Sequence, residues 1–251
     1  MPAAGFERAD LLLVKRGLVE TRTRAQALIL AGRVYSGPGR VDKPGTRLRP
    51  DADLTVREPL PFVSRGGLKL DAALVRFGID PAGASCLDVG ASTGGFTDCL
   101  LKRGARKVYA VDVGYGQLDW GLRNDPRVVV LERVNFRTIS QEVLQGGLDL
   151  AVVDVSFISL RQILPNLGFF LKEGARAVVL VKPQFEAGKG KVGKGGIVRD
   201  PALREEVLDQ VLEAARENGF EVLGTMESPI KGASGNVEFL ASLRLVRGKR
   251  P

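Results

Sequence analysis

Histidine is absent from all 251 residues of this chain, and that absence excludes more than any single residue present. Without imidazole there is no Ser/His or Cys/His pair, so the common hydrolase triads are excluded. Zinc sites of the usual types lose their commonest ligand. Acid–base work falls to Lys, Asp, Glu or Tyr. Only two cysteines occur, Cys86 and Cys99, both in apolar runs, which gives neither a disulfide framework nor a metal cluster. No stretch approaches the ~18 consecutive apolar residues of a membrane span. Residues 1–10 lack the basic-then-apolar order of a signal peptide. The expectation is a cytoplasmic protein with no metal and no membrane partner.

What is present is an ordinary globular composition, 44% hydrophobic and 26% charged, with a net charge of +8. The charge is uneven. Residues 15–49 hold nine Lys/Arg against only Glu20 and Asp42, a net +7 in a short folded pattern. So concentrated a block favours a polyanionic partner.

Two modules follow from the punctuation, residues 1–58 and 64–251, with a linker over 59–63 around Pro59-Leu60-Pro61. In the first, Asp10 to Arg16 reads as a short helix stopped by Gly17. A second helix, Arg24 to Leu30, is capped by Thr21 or Thr23 and ends at Gly32. "RVYSGPGRV" then reads as strand, turn and strand, with a last strand near Leu54-Thr55-Val56.

The second module alternates β-rich and helical runs. Strands are expected at Cys86–Val89, Val108–Val111, Val128–Leu131, Leu148–Val153 and Ala177–Val181. Asp200-Pro201 caps a helix reaching Asn218. Two loop-joined strands, near Phe220–Met226 and Asn236–Leu245, close the chain as an antiparallel pair. The fold class is α/β: a small α+β domain, then a Rossmann-like, seven-stranded sheet of methyltransferase rather than dehydrogenase outline.

"LDVGASTGGFTDCL" places a glycine loop between the first strand and a helix, where backbone can approach a ligand. The second glycine of G-x-G-x-x-G is missing, which disfavours NAD. Asp112 ends the next strand 22 residues after Gly90, near the ~20-residue separation of a ribose-binding acid. Asp88, the loop Gly90-Ala91-Ser92-Thr93-Gly94-Gly95-Phe96, Asp112 and Asn135 together point to S-adenosylmethionine. A P-loop lookalike, Gly188 to Lys194, has Gly195 where Ser or Thr would hold magnesium; "EAGKGKVGKGG" reads instead as a basic loop.

Four charges stand beside apolar positions, where an unpaired ion is costly. Lys69 borders the helix face drawn by Leu70, Leu74 and Phe77. Asp154 ends "LAVVD", Lys182 ends "AVVLVK", and Glu238 lies within "NVEFLASL" of the final strand. Carboxyl ends of strands border the ligand crevice in open α/β sheets. Asp154 and Lys182 are therefore expected to converge, with Glu238 in reach if the final strand lies antiparallel beside the fifth.

The first module resembles the S4 RNA-binding domain, in Arg8-Ala9-Asp10, Gly17-Leu18-Val19, Thr21-Arg22-Thr23-Arg24-Ala25, Ala27-Leu28-Ile29 and Gly32-x-Val34. That resemblance implies RNA contacts for Arg22, Arg24 and Arg33. The four charges resemble the Lys-Asp-Lys-Glu tetrad of FtsJ-like ribose 2'-O-methyltransferases. "SRGGLKL", "DVGASTGGFT", "DVGYGQL", "RNDPRV", "DVSFISL", "VKPQFE" and "GNVEFL" are similar to motifs of the TlyA family, once labelled haemolysin, which joins both domains. Membership implies methyl transfer from S-adenosylmethionine to a cytidine 2'-hydroxyl in ribosomal RNA. Lys69, Asp154, Lys182 and Glu238 would be catalytic, Asp154 would also touch the cofactor, and Arg65 would contact RNA where the chain enters the cleft. Phe62-Val63 stands where the family usually has Trp-Val. A chain stopping soon after the last strand resembles members acting only on the large subunit. The alternatives are a non-enzymatic ribosome-assembly factor and a membrane-active haemolysin.

Overall fold

The structure, a computed structural model, describes residues 5–57, 60–140, 142–144, 146–188, 190–193, 195–232 and 234–246. Part of the expected linker (Pro59), Lys194 of the P-loop lookalike and the basic tail after Val246 lie outside the described residues. The chain forms two compact units, residues 1–60 and 61–251.

In the first unit, β1 (Glu7–Arg8) leads into α1 (Ala9–Lys15) and α2 (Arg22–Leu30). The hydroxyl of Thr21 accepts from the Arg24 amide and so caps α2. Four short strands follow: β2 (Val34–Ser36), β3 (Gly39–Arg40), β4 (Arg47–Leu48) and β5 (Leu54–Val56). β2 pairs antiparallel with both β3 and β5, and β1 pairs with β4. The core gathers Leu12, Leu13, Ala25, Ile29, Val34 and Leu54.

The second unit is built on one sheet. Its elements are α3 (Gly66–Phe77), β6 (Ser85–Val89), α4 (Gly95–Lys102), β7 (Lys107–Val111), α5 (Trp120–Arg123), β8 (Val128–Leu131) and β9 (Leu148–Val153). After them come α6 (Leu164–Phe170), β10 (Leu171–Val181), α7 (Pro183–Glu186), α8 (Pro201–Glu217), β11 (Phe220–Glu227) and β12 (Phe239–Leu245). The strand order is β11-β12-β10-β9-β6-β7-β8. β12 is antiparallel to both β10 and β11, and the remaining pairs are parallel. The expected seven strands and terminal antiparallel pair are thus present.

Both faces are buried, because successive strand residues point to opposite sides. Leu87, Val89, Ala151 and Val153 pack with α6 and α8 residues such as Leu167 and Val211. Cys86, Val108, Leu150 and Val152 pack with Leu70 and Leu74 of α3 and Leu100 of α4 on the other side. The order reverses at β6: the chain runs outward through β7 and β8, then returns to β9 on the opposite flank. Ligands of such sheets bind at this switch point, beyond the carboxyl ends of the strands. Gly90 follows β6 there and Asp154 follows β9. Gly90 has φ +85°, and a Cβ on it would run into the Asp154 carbonyl. Glycine is therefore required at the crossing. Among the described residues no helix is long and apolar enough to cross a membrane.

Candidate active site

Register delivers the charges. β10 and β12 pair Val181 with Phe239, and one further step sets Lys182 opposite Glu238. The structure starts β12 at Phe239 rather than Asn236, so Glu238 precedes the final strand instead of lying within it. Asn236 is taken up elsewhere: its side-chain oxygen accepts from the Val198 amide and its nitrogen donates to the Gly196 carbonyl.

Lys69 lies on the buried side of α3, 8% exposed, and Glu238 is 3% exposed. The Nζ of Lys69 donates to Glu238 Oε2 at 2.5 Å. Lys182 Nζ stands 2.6 Å from Asp154 Oδ1 and donates to the Ser156 hydroxyl at 2.8 Å. Gln184 adds to the first pair, its Nε2 donating to Glu238 Oε1 at 3.3 Å. All four charges, with Arg65, line one cleft of about 690 Å³. The expected convergence is therefore seen, as two ion pairs on one cavity.

A second cavity, about 330 Å³, opens beside it and holds Asp112, Asn135 and Phe136. Gly90, Ser92, Asp154, Ser156 and Phe157 line both, so the two meet at the switch point. Asp112 accepts from the amides of Ser92 at 2.8 Å and Gly114 at 2.7 Å, which holds the glycine loop against the end of β7. Each carboxylate oxygen keeps a lone pair for a ligand hydroxyl. Ala91, Thr93, Gly95 and Phe96 line the cleft.

Two expected cofactor contacts fall outside both cavities. Asp88 faces α4 from β6, is completely buried, and accepts from the Thr97 hydroxyl at 2.6 Å. It braces the loop from beneath. Burial pushes its pKa up to about 7, against the opposing pull of the Thr97 hydrogen bond, and its Oδ1 has no partner. Gly94 opens α4 at φ +95°, packed against Leu118 and Leu122.

Several site residues escaped the sequence reading. Glu186, 4% exposed, accepts from the Ser159 hydroxyl at 2.5 Å and the Leu160 amide at 2.6 Å. It thereby ties the loop after β9 to the turn after β10, and burial raises its pKa. Phe157 has φ +64°, is 91% exposed, and packs its ring against Phe185 at 5.0 Å. The neighbours in "DVSF" and "KPQFE" were the available signal, since each adjoins a charge already singled out.

In the first unit, Asp10 is wholly buried and accepts from Arg8, Arg22 and Gln26. Its Arg8 partner holds its carboxyl well below the usual carboxylate range. Arg22 is thus fixed in place, whereas Arg24 is exposed and Arg33 half-buried. Among the described residues no group of three or more metal-ligating side chains forms.

Both units match known protein families. Residues 62–245 match the FtsJ-like methyltransferase model and residues 7–54 the S4 domain. The 16S/23S rRNA (cytidine-2'-O)-methyltransferase TlyA of Mycobacterium tuberculosis is 51% identical over 94% of this chain and 89% of its own. Hemolysin A of Brachyspira hyodysenteriae is 45% identical over 93% of this chain and 98% of its own. A solved structure from Streptococcus thermophilus is 46% identical, with a TM-score of 0.75 over 98% of this chain and 90% of that one.

Proposed function

This chain belongs to the FtsJ-like methyltransferase family, and we propose that it methylates the 2'-hydroxyl of a cytidine in ribosomal RNA, that of the large subunit first. The observation that carries this reading is the two ion pairs on the larger cavity, Lys69–Glu238 and Lys182–Asp154, with Asp154 shared by the smaller cavity beside it. The relative named for 16S/23S cytidine 2'-O-methylation supports the substrate.

S-adenosylmethionine fits the smaller cavity by the chemistry of its donors. Asp112 would hold the ribose hydroxyls and Asn135 and Phe136 the adenine, while the glycine loop would face the amino-acid end. When bound there, it supplies a methyl group already activated on a sulfonium. The protein's task is then to align a weakly acidic hydroxyl and manage its proton. Alignment can contribute ~7–11 kcal/mol. Lys182, held between Asp154 and Ser156, keeps N–H capacity for the ribose oxygen. Its charge stabilises the oxygen as the proton leaves. The ribose has one O–H to donate; Asp154, on both cavities, accepts it and passes the proton to water, while Glu238, neutralised by Lys69, lines the wall of the cleft beside it. Phe157 offers an exposed ring face to the target base.

The test is incubation with labelled cofactor and separate, unmodified small and large ribosomal subunits, followed by mass mapping. Label on a cytidine ribose of the large-subunit RNA is expected. Label on a base, or none on either subunit, overturns the reading, and label on the small subunit widens the substrate. Leakage from defined liposomes at low protein concentration would instead favour the haemolysin name.

A further inference from the structure

The chain contains one tryptophan, and the fold leaves it outside. Trp120, at the start of α5, is 76% exposed, and Tyr115, in the loop after β7, is 67% exposed. Large aromatic rings give up much favourable burial by remaining in water, so a pair of them on one surface calls for a partner. The two belong to one rigid patch. Glu132, just beyond β8, accepts from the Gly116 amide at 2.9 Å and from Arg123 of α5 at 2.5 Å. One carboxylate thus pins the Tyr115 loop and the Trp120 helix to the same strand end. The next residue, Arg133, adopts φ +57° and sets its guanidinium 4.2 Å over the Tyr115 ring.

Charge identifies the partner. Arg123 is neutralised by Glu132 and Arg127 by Asp125. Among the described residues no ion pair takes up Arg133, so the patch presents one cation, stacked on the Tyr115 ring, beside the exposed ring of Trp120. The patch also lies at the carboxyl ends of β7 and β8, the edge of the sheet that carries the cavities. Resting on the RNA-methyltransferase reading above, we propose that Tyr115, Trp120 and Arg133 form a stacking platform for single-stranded RNA flanking the target nucleotide. Rings stack on any base, and the Arg133 cation meets a phosphate. A pre-ordered platform loses little freedom on binding.

Because Trp120 is the sole tryptophan, its emission reports on this surface alone. The full chain is titrated with a single-stranded ribosomal RNA oligonucleotide and, separately, with unmodified large subunits. Quenching of Trp120 is expected over the concentration range that saturates RNA binding. Trp120→Ala and Tyr115→Ala should each weaken RNA binding by roughly 5- to 150-fold. Trp120→Ala should leave cofactor affinity unchanged, and Trp120→Phe should restore most of the RNA affinity. Unchanged emission at saturating RNA overturns the proposal, as does wild-type RNA affinity in Trp120→Ala. It is equally overturned if Trp120→Ala converts a dimer to a monomer at unchanged RNA affinity, because the patch then binds a second copy. Quenching by RNA without methyl transfer to any ribosomal particle supports the platform and defeats the functional reading alone.

Discussion

Replacing Lys69 by methionine tests the catalytic set against an ordinary lysine that snorkels to solvent. Methionine keeps much of the stem's volume and removes the charge. Glu238 would then lie 3% exposed without its 2.5 Å partner, with only the Gln184 amide left to it. Removing one member of a buried pair costs about 3–5 kcal/mol, mostly from the charge left behind. For a domain of this size that lowers the melting temperature by roughly 6–20 °C. Lys69→Met combined with Glu238→Gln removes both charges, and a glutamine oxygen can still accept from Gln184. The double variant should recover at least half of the lost stability. Methyl transfer should not recover: both variants should fall by about 10²-fold or more, the low end of what a positioned acid–base group contributes. Thermal melts followed by circular dichroism, beside initial rates on the large subunit, measure both quantities. If Lys69→Met keeps parental activity and melts with the parent, Lys69 is an ordinary surface lysine and the tetrad loses its first member.

Lys182→Arg keeps a charge near Asp154 but cannot act as a base, because arginine does not deprotonate. It should lower the rate while preserving the shape of the pH–rate profile; loss of the alkaline-activated limb would make Lys182 the proton acceptor. Asp88 titrates near 7 in the folded chain, above the ~3.9 of an unfolded aspartate. Between those values the folded state binds more protons, so stability is highest below about pH 4 and declines as pH rises toward 7. The contribution is about 4 kcal/mol at most, and Asp88→Asn should flatten it in urea melts at pH 5 and 8; parallel pH slopes for both proteins would refute the assignment. Arg24→Ala should reduce the dependence of log affinity for ribosomal RNA on log salt by roughly 0.7–0.9 if that arginine meets one phosphate. An unaltered slope removes Arg24 from the RNA surface.

The parallel strands of the second unit were legible because each is a short apolar run followed by a charge or glycine, Gly90, Asp112, Glu132, Asp154 and Lys182. The Asp200-Pro201 cap was legible because helix starts are local: Asp200 accepts from the Ala202 amide. Non-local features were not. β1 is only two residues long and exists because Glu7 pairs with Leu48 across the first unit. β10 begins at Leu171, six residues before the apolar run, through a register shift against β9. The late start of β12 follows from the side-chain bonds of Asn236 to a loop some 40 residues away. In the site, charge at a strand end could be read from sequence, but partnership could not. Nothing local says that Lys69 meets Glu238 across 169 positions. Glu186 went unnoticed because its task, joining two loops, exists only in the folded chain.

The pairing also constrains how the site can vary. Each of the four charges lies where an unpaired ion would be costly, and each is compensated by another member of the set. A catalytic group in water can be changed at little structural cost, whereas here a single change both removes a role and strands a buried charge. Stability and activity are coupled most tightly at Glu238, which is more buried than Asp154 and serves Lys69 and Gln184 together. Asp154 is less enclosed, with its side chain 21% exposed, so losing its partner Lys182 strands a better-hydrated charge. Lys69→Met should therefore destabilise the fold more than Lys182→Met, although both lower transfer by about 10²-fold or more. The reverse order would mean that Asp154, not Glu238, carries the larger desolvation cost.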